Sequence, residues 1–266
     1  MKRSIGLLLA LPQIVFAQLT SLGDQAPPAT PLRGAASVTD GVSIAASTTI
    51  EKLSNDTPDW REHHVQVERK HGPGTVWAAG ATRTARFGLH DTQLNALYST
   101  RLSPTLATTV EATVSPTHRV LPRYAAGGQL HYEFAPAWIA HAGARSTAYK
   151  DVQVNQLVFG VERYVGPFSV SATARPARAF GRTITSAELR GSYYYAEDSY
   201  VSVLLADGRE VMSMGTGVVL TEVRAIAAFG RHRLNRNWSV TYAAGRTRQG
   251  SLHTRNAVSA GVQYAF

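Results

Sequence analysis

Thr254-Arg255-Asn256-Ala257-Val258-Ser259-Ala260-Gly261-Val262-Gln263-Tyr264-Ala265-Phe266 is the stretch whose alternation decides the fold class. Successive side chains of a strand point to opposite faces. Val258, Ala260, Val262, Tyr264 and Phe266 therefore share one face, apolar and ending in aromatics, while Ala257, Ser259, Gly261, Gln263 and Ala265 share a small and polar one. The same two-faced pattern recurs upstream. Residues 124–134 set Tyr124, Ala126, Gly128, Leu130, Tyr132 and Phe134 against Ala125, Gly127, Gln129, His131 and Glu133. Residues 168–175 and 187–195 repeat it, the latter with Leu189, Tyr193 and Tyr195 against Glu188, Arg190 and Ser192. Strands of a soluble sandwich run about 5–6 residues. These are about twice as long, the length of a tilted bilayer crossing.

Counted along the chain, the pattern gives about fourteen strands, with roughly 12 to 16 permitted, in an all-β antiparallel transmembrane barrel. The expected spans are 40–52, 60–70, 75–87, 91–102, 105–114, 122–134, 137–149, 153–164, 167–176, 184–196, 199–207, 216–231, 237–248 and 254–266. An even count puts both barrel termini on one side, which for a single-chain bacterial barrel is the periplasm. Short connections such as His71-Gly72-Pro73-Gly74, Ser103-Pro104, Ala135-Pro136, Gly166-Pro167 and Glu197-Asp198 alternate with longer ones expected at 53–59, 114–121, 177–183, 208–215 and 249–253. Trp77, Phe134, Trp138, Phe168, Tyr193, Tyr195, Phe229, Trp238 and Phe266 fall near the short turns, as an interfacial girdle should. In the third strand, Trp77, Ala79 and Ala81 place Arg83 on the lipid side, so a bulge or register shift is expected there.

The bulk numbers fit a barrel. Of 266 residues 44% are hydrophobic and 17% charged, a soluble-looking balance that a barrel shares because only alternate strand residues meet lipid. No stretch after the first 17 residues approaches the roughly 20 apolar residues of a membrane helix. The chain has no cysteine, so it holds no disulfide, thiolate nucleophile or Cys-based zinc site. Lys2 and Arg3, the apolar run from Ile5 to Leu11, and Val15-Phe16-Ala17 read as a secretory signal cleaved after Ala17. Residues 18–37, rich in Ala, Pro, Gly and Thr, read as a flexible periplasmic leader, and 38–266 as the barrel. Without Lys2 and Arg3, 25 basic residues face 18 acidic ones, a net +7 against +9 for the whole chain. Export turns that charge away from nucleic acid and towards an anionic membrane surface.

The closing strand, with Val262, Tyr264 and Phe266 on one face, looks like the C-terminal assembly signal of outer-membrane barrels, read by the barrel-assembly machinery. Together with Tyr149-Lys150-Asp151-Val152-Gln153-Val154, Gly160-Val161-Glu162-Arg163-Tyr164-Val165-Gly166-Pro167 and Gly245-Arg246, it resembles the YaiO family of outer-membrane proteins. The resemblance covers most of the chain after about Val38. It implies an outer-membrane location and, more loosely, an association with surface polysaccharide, and it supplies no catalytic residues.

The chemistry in the sequence is that of binding surfaces. A Ser–His hydrolase needs a base oriented beside its nucleophile, often in a recognisable local context. There is no Gly-x-Ser-x-Gly element, and Ser251, His253 and Asn256 read as a polar loop and strand start. His63 and His64 alternate faces, so they cannot share a metal. No catalytic residue, metal or cofactor is expected. His131, Glu133, His141, Arg145, Glu162, Arg175, Glu188, Arg190, Glu222 and Arg224 are assigned to the inward face, where they either brace the wall as paired charges or line a polar path. The last four are expected to form one cluster. Arg119, Arg123, Arg178, Arg182, Arg246, Arg248 and Arg255, with His118, make a basic outer rim. It suits phosphorylated lipid heads, lipopolysaccharide included, or the attraction of an anionic polysaccharide. The leading expectation is a non-enzymatic, porin-like channel or export conduit. The rivals are a closed structural or interaction barrel and a lipid-modifying hydrolase.

Overall fold

The computed structural model describes residues 40–54, 58–72, 74–214 and 216–266. The expected signal 1–17 and leader 18–37 lie outside the described residues. Fourteen strands follow one another: β1 (Gly41–Leu53), β2 (Trp60–His71), β3 (Thr75–Arg86), β4 (Leu89–Ser103), β5 (Leu106–Val114), β6 (Tyr124–Ala135), β7 (Trp138–Ala148), β8 (Gln153–Val165), β9 (Phe168–Ala179), β10 (Arg182–Ala196), β11 (Ser199–Ser213), β12 (Val218–Arg233), β13 (Trp238–Gln249) and β14 (His253–Ala265). Each pairs antiparallel with its sequence neighbours, and β1 pairs with β14 from Ser43↔Ala265 to Leu53↔Arg255, closing the barrel. The Phe266 N–H donates to the Val42 carbonyl at 2.9 Å, extending that closure to the last residue. A closed cylinder leaves no strand edge for lipid to solvate, which is why such a chain can cross a membrane without a helix.

The alternation sorts the side chains as periodicity demands. Ile44, Ile50, Val65, Val67, Leu130, Leu157, Phe159, Val203, Leu205, Val258 and Val262 are exposed on the outer wall. Ser47, Thr49, Thr84, Gln93, Gln129, Ser171, Ser186 and Ser259 are buried in the bore. Aromatic pairs ring one end: Trp77–Tyr98 at 4.2 Å, Phe168–Tyr193 at 4.9 Å and Trp238–Tyr264 at 4.9 Å between centroids. That end, the turn end, carries the β2–β3, β4–β5, β6–β7, β8–β9, β10–β11 and β12–β13 connections and both barrel termini. The opposite, loop end carries the connections from β1 to β2 and from β5 to β6.

Several expectations are corrected. Residues 177–183 are not a loop: β9 and β10 run to a two-residue turn at Phe180-Gly181, and β3 and β4 meet in the same way at Phe87-Gly88. Both residues of each pair have positive φ (53° and 71°, 54° and 73°), the conformation that matches the twist of a hairpin. Strand β11 continues six residues past Asp207 through Gly208, which looked like a turn residue. Gly208 is there for close approach, since a Cβ on it would lie 2.4 Å from the Ser186 Cα. The register of β3 runs unbroken against both neighbours. Arg83 therefore faces outward without a bulge, opposite His63. Phe229 leaves the girdle, for it is 1% exposed and points into the bore.

The bore and its outer wall as a candidate functional site

Two faces of the wall carry the chemistry. Inside, the bore divides lengthwise. Strands β11–β14 line one side with Tyr200, Leu204, Ala206, Val223, Ala225, Ala227, Phe229, Ala243 and Ala257 in a single apolar cluster. The remaining circumference carries most of the bore's paired charges.

Near the loop end, Arg255 of β14 donates to Glu51 of β1 at 2.8 Å, with the two side chains 0% and 1% exposed. Arg86 of β3 stands 3.6 Å from Glu62 of β2 and 3.9 Å from Glu51. Thr84 donates a further hydrogen bond to Glu62 at 2.9 Å. Both guanidinium groups lie over the Trp60 ring, 4.7 Å and 5.0 Å from its centroid, and such contacts strengthen when desolvated. This knot spans β14, β1, β2 and β3, so it stitches the seam where the last strand meets the first. Beside it Gln249 donates to Glu210 at 2.8 Å. Tyr149, just past β7, is buried against Val154, Ala177, Ile184 and Val211. Burial pushes its hydroxyl up to about 12, so it serves this layer as a neutral group. The 115–123 connection folds inward, with Val120 and Leu121 3% exposed and both backbone N–H groups donating to Asp91.

Nearer the turn end, Ser99, Thr109, His131, His141 and Glu162 form a chain of contacts around β4 to β8. The separations are 2.9, 3.4, 2.8 and 3.6 Å in that order. Arg190 lies among Glu162, Glu188, Tyr164 and Tyr194. Between the two layers Arg175 pairs with Glu188 at 3.1 Å and Arg145 pairs with Glu111. Among the described residues the material filling the bore is side chains and this one tucked connection, because all fourteen strands belong to the wall.

Of the ten residues assigned inward from sequence, His131, Glu133, His141, Arg145, Glu162, Arg175, Glu188 and Arg190 do face the bore. Glu222 and Arg224 do not. They face outward, pairing with Arg209 at 3.4 Å and Asp207 at 2.8 Å, and all four side chains are more than half exposed. The expected cluster of Glu188, Arg190, Glu222 and Arg224 therefore does not form. In β12 the inward set is Val219, Thr221, Val223, Ala225, Ala227 and Phe229, the more apolar of the two faces, because it backs onto the apolar half of the bore. Arg119, Arg123, Arg178, Arg182, Arg246 and Arg248 are exposed at the loop end. Arg255 is not a rim residue but the buried centre of the seam knot. Ser251, His253 and Asn256 do not converge: His253 is buried inside, Asn256 faces outward and Ser251 sits in the turn. Glu51, Glu62, Arg86, Glu111 and Glu210 were missed by sequence reasoning. Strand parity alone would have found Glu51, which shares its face with Ser43, Ser47 and Thr49.

The fold is that of solved outer-membrane barrels. The CymD monoaromatic hydrocarbon channel superposes with a TM-score of 0.58 at 8% identity, covering 98% of this chain and 94% of that one. The Ralstonia pickettii toluene transporter TbuX gives 0.54 at 10% identity, covering 86% and 90%. At such identities the likeness shows the fold alone. A comparison with curated proteins finds no match. A family model does match, over residues 42–210 and so across most of the barrel, and the chain belongs to the family it describes, the YaiO membrane beta barrel domain.

Proposed function

We propose that this outer-membrane barrel is a non-enzymatic, narrow channel for small polar solutes, held shut at rest by the side-chain layers of its bore. One observation carries the reading: apart from the tucked 115–123 connection, what fills the bore is rotatable side chains from the wall, many of them in ion pairs, with no described strand or helix crossing it. Paired carboxylates and guanidinium groups leave hydrogen-bonding partners for a solute once a pair separates. A sugar polymer needs both layers parted at once. The surface-glycan association that the family implies is therefore assigned here to the exposed basic residues of the loop end, not to threading of a chain. In this reading the turn end faces the periplasm. Arg119, Arg123, Arg178, Arg182, Arg246 and Arg248 meet phosphorylated groups of the outer leaflet, lipopolysaccharide included, and Val262, Tyr264 and Phe266 are read by the assembly machinery.

A second reading, a permanently closed structural barrel, has its own support. The ion pairs join adjacent or next-adjacent strands, as wall braces do. Conductance in planar bilayers separates the two. The channel reading expects small intermittent steps from the wild-type protein and larger, longer ones from Glu51→Ala/Arg255→Ala. Silence from both proteins would establish the closed barrel.

A further inference from the structure

The wall carries a break in its hydrogen-bonded ladder that lies inside two strands. Among the described residues the three register shifts of the sheet, at Tyr194/Ala196, Arg101/Ser103 and Glu133/Ala135, all sit beside turns. Between β8 and β9 the register is kept, but the pairing passes from Gln156↔Ala177 directly to Phe159↔Ala174 with the two bridges between them missing. Leu157 and Val158 thus have no bridged partner across the seam, nor do Arg175 and Pro176. Proline explains it: Pro176 has no N–H to give to the ladder, and such residues are normally kept out of central strands. On its other side the same proline keeps its register partner, Thr185 of β10.

The wall is hollowed on both sides of this seam. Outside is an open groove of about 530 Å³, within the range of small-ligand sites, roughly 300–1,000 Å³. Inside is a small cavity of about 20 Å³, water-sized, lined by Arg175, Ile184 and Glu210. Gln156 and Ala177 line both, so at this point the wall is a thin partition. The groove is itself two-toned. Towards the turn end its floor is Ala126, Ala144, Leu157 and Pro176; towards the loop end it is Asn155 and Arg178. Arg178 is exposed, and among the described residues no carboxylate pairs with it.

We propose that the β8–β9 seam is a binding site for a single-chain amphiphile with an anionic head, drawn from the surrounding membrane. The chain lies over Ala126, Ala144, Leu157 and Pro176, and the head pairs with Arg178 beside Asn155. Small side chains supply the room, the missing rungs leave the wall yielding there, and the exposed Arg178 fixes the polarity of the occupant. The site stands whether or not the bore conducts.

The chain's lack of cysteine makes site-specific labelling clean. A fluorophore on Thr185→Cys sits on the outer wall beside Pro176, and one on Ile50→Cys reports the outer wall at β1. Each labelled barrel, in neutral detergent, is titrated with nitroxide-labelled stearate and with its methyl ester. The expected result is saturable quenching at Thr185→Cys by the acid at concentrations about tenfold below those the ester needs, the worth of a charge-assisted contact. Quenching at Ile50→Cys should be weak and unsaturable. Arg178→Gln should abolish the preference for acid over ester. Ala144→Phe, which fills the groove, and Pro176→Val, which returns the missing N–H, should each remove the saturable phase. Equal quenching at both labels would reduce the groove to ordinary lipid contact and overturn the proposal. Saturable binding indifferent to the head group would overturn its anionic part.

Discussion

Replacing Arg255 by alanine is the sharpest test of the seam knot. Its guanidinium is 0% exposed and lies 2.8 Å from a Glu51 carboxylate that is 1% exposed. At that distance and an effective dielectric near 20, two unit charges attract by roughly 6 kcal/mol. Desolvation of both offsets much of this. The measurable quantity is the cost of leaving one charge buried alone, about 3–5 kcal/mol. Glu51 retains Arg86 at 3.9 Å, and the Trp60 ring retains one of its two cations, so the lower end, about 3 kcal/mol, applies. For a domain of this size that corresponds to a fall of roughly 6–12 °C in the unfolding midpoint. Glu51→Ala/Arg255→Ala removes the orphaned carboxylate as well and should recover part of the loss, with a coupling of about 1–3 kcal/mol. Arg224→Ala breaks a pair whose side chains are 78% and 70% exposed and should cost within about 1 kcal/mol. The assay is thermal unfolding in detergent, followed by heat-modifiable gel mobility and circular dichroism. An Arg255→Ala midpoint indistinguishable from that of Arg224→Ala would refute the account of a dry, charge-stitched seam, as would strictly additive single losses.

Two further outcomes are expected. Deleting Phe266 removes an N–H that closes β14 onto Val42 and one ring of the Tyr264–Phe266 pair. Heat-modifiable barrel in outer-membrane fractions should drop, and a normal yield would argue against an assembly role for this strand. An epitope inserted at Gly250, in the β13–β14 turn, should be reachable from outside intact cells, while one at Gly72, in the β2–β3 turn, should not. Labelling of the Gly72 epitope in intact cells would reverse the proposed orientation.

Most of the fold was legible in the sequence because a single rule, the alternation of faces, generates it. Wherever one face was aromatic and aliphatic and the other small and polar, as at 124–134 and 257–266, the span and the facing both followed. Where turn chemistry and strand chemistry overlap, the spans slipped. Asp207-Gly208-Arg209-Glu210 has the composition of a turn, yet it lies in β11 because its glycine lets the backbone pass against Ser186. Arg178-Ala179-Phe180-Gly181 has the composition of a loop, yet a Phe-Gly pair with positive φ at both residues folds it into the tightest hairpin available.

The site was less legible than the fold, for a reason specific to this barrel. Period 2 says which residues share a face, and only the contrast between faces says which face is in. In strand β12 the contrast runs the other way, since the apolar Val223, Ala225 and Ala227 face inward while Glu222, Arg224, Ile226 and Ala228 face out. The rule that charge goes inside sends Glu222 and Arg224 to the bore, but the bore beside β12 is apolar. These two instead reach Arg209 and Asp207 across the outer wall of β11, where the pairs stay exposed towards the loop end. Arg255 fails in the opposite sense. Its parity with Ala257 and Ser259 already placed it inside, but its closeness to the turn drew it to the rim. Facing in such a barrel is thus set by the partner strand as much as by the residue. A charge is inward where a neighbouring strand offers its counter-charge on the inner face, as Glu51 does for Arg255 and Glu188 for Arg175. It is outward where the counter-charge lies on the outer face, and the register of the two strands, which a lone sequence does not state, decides between them.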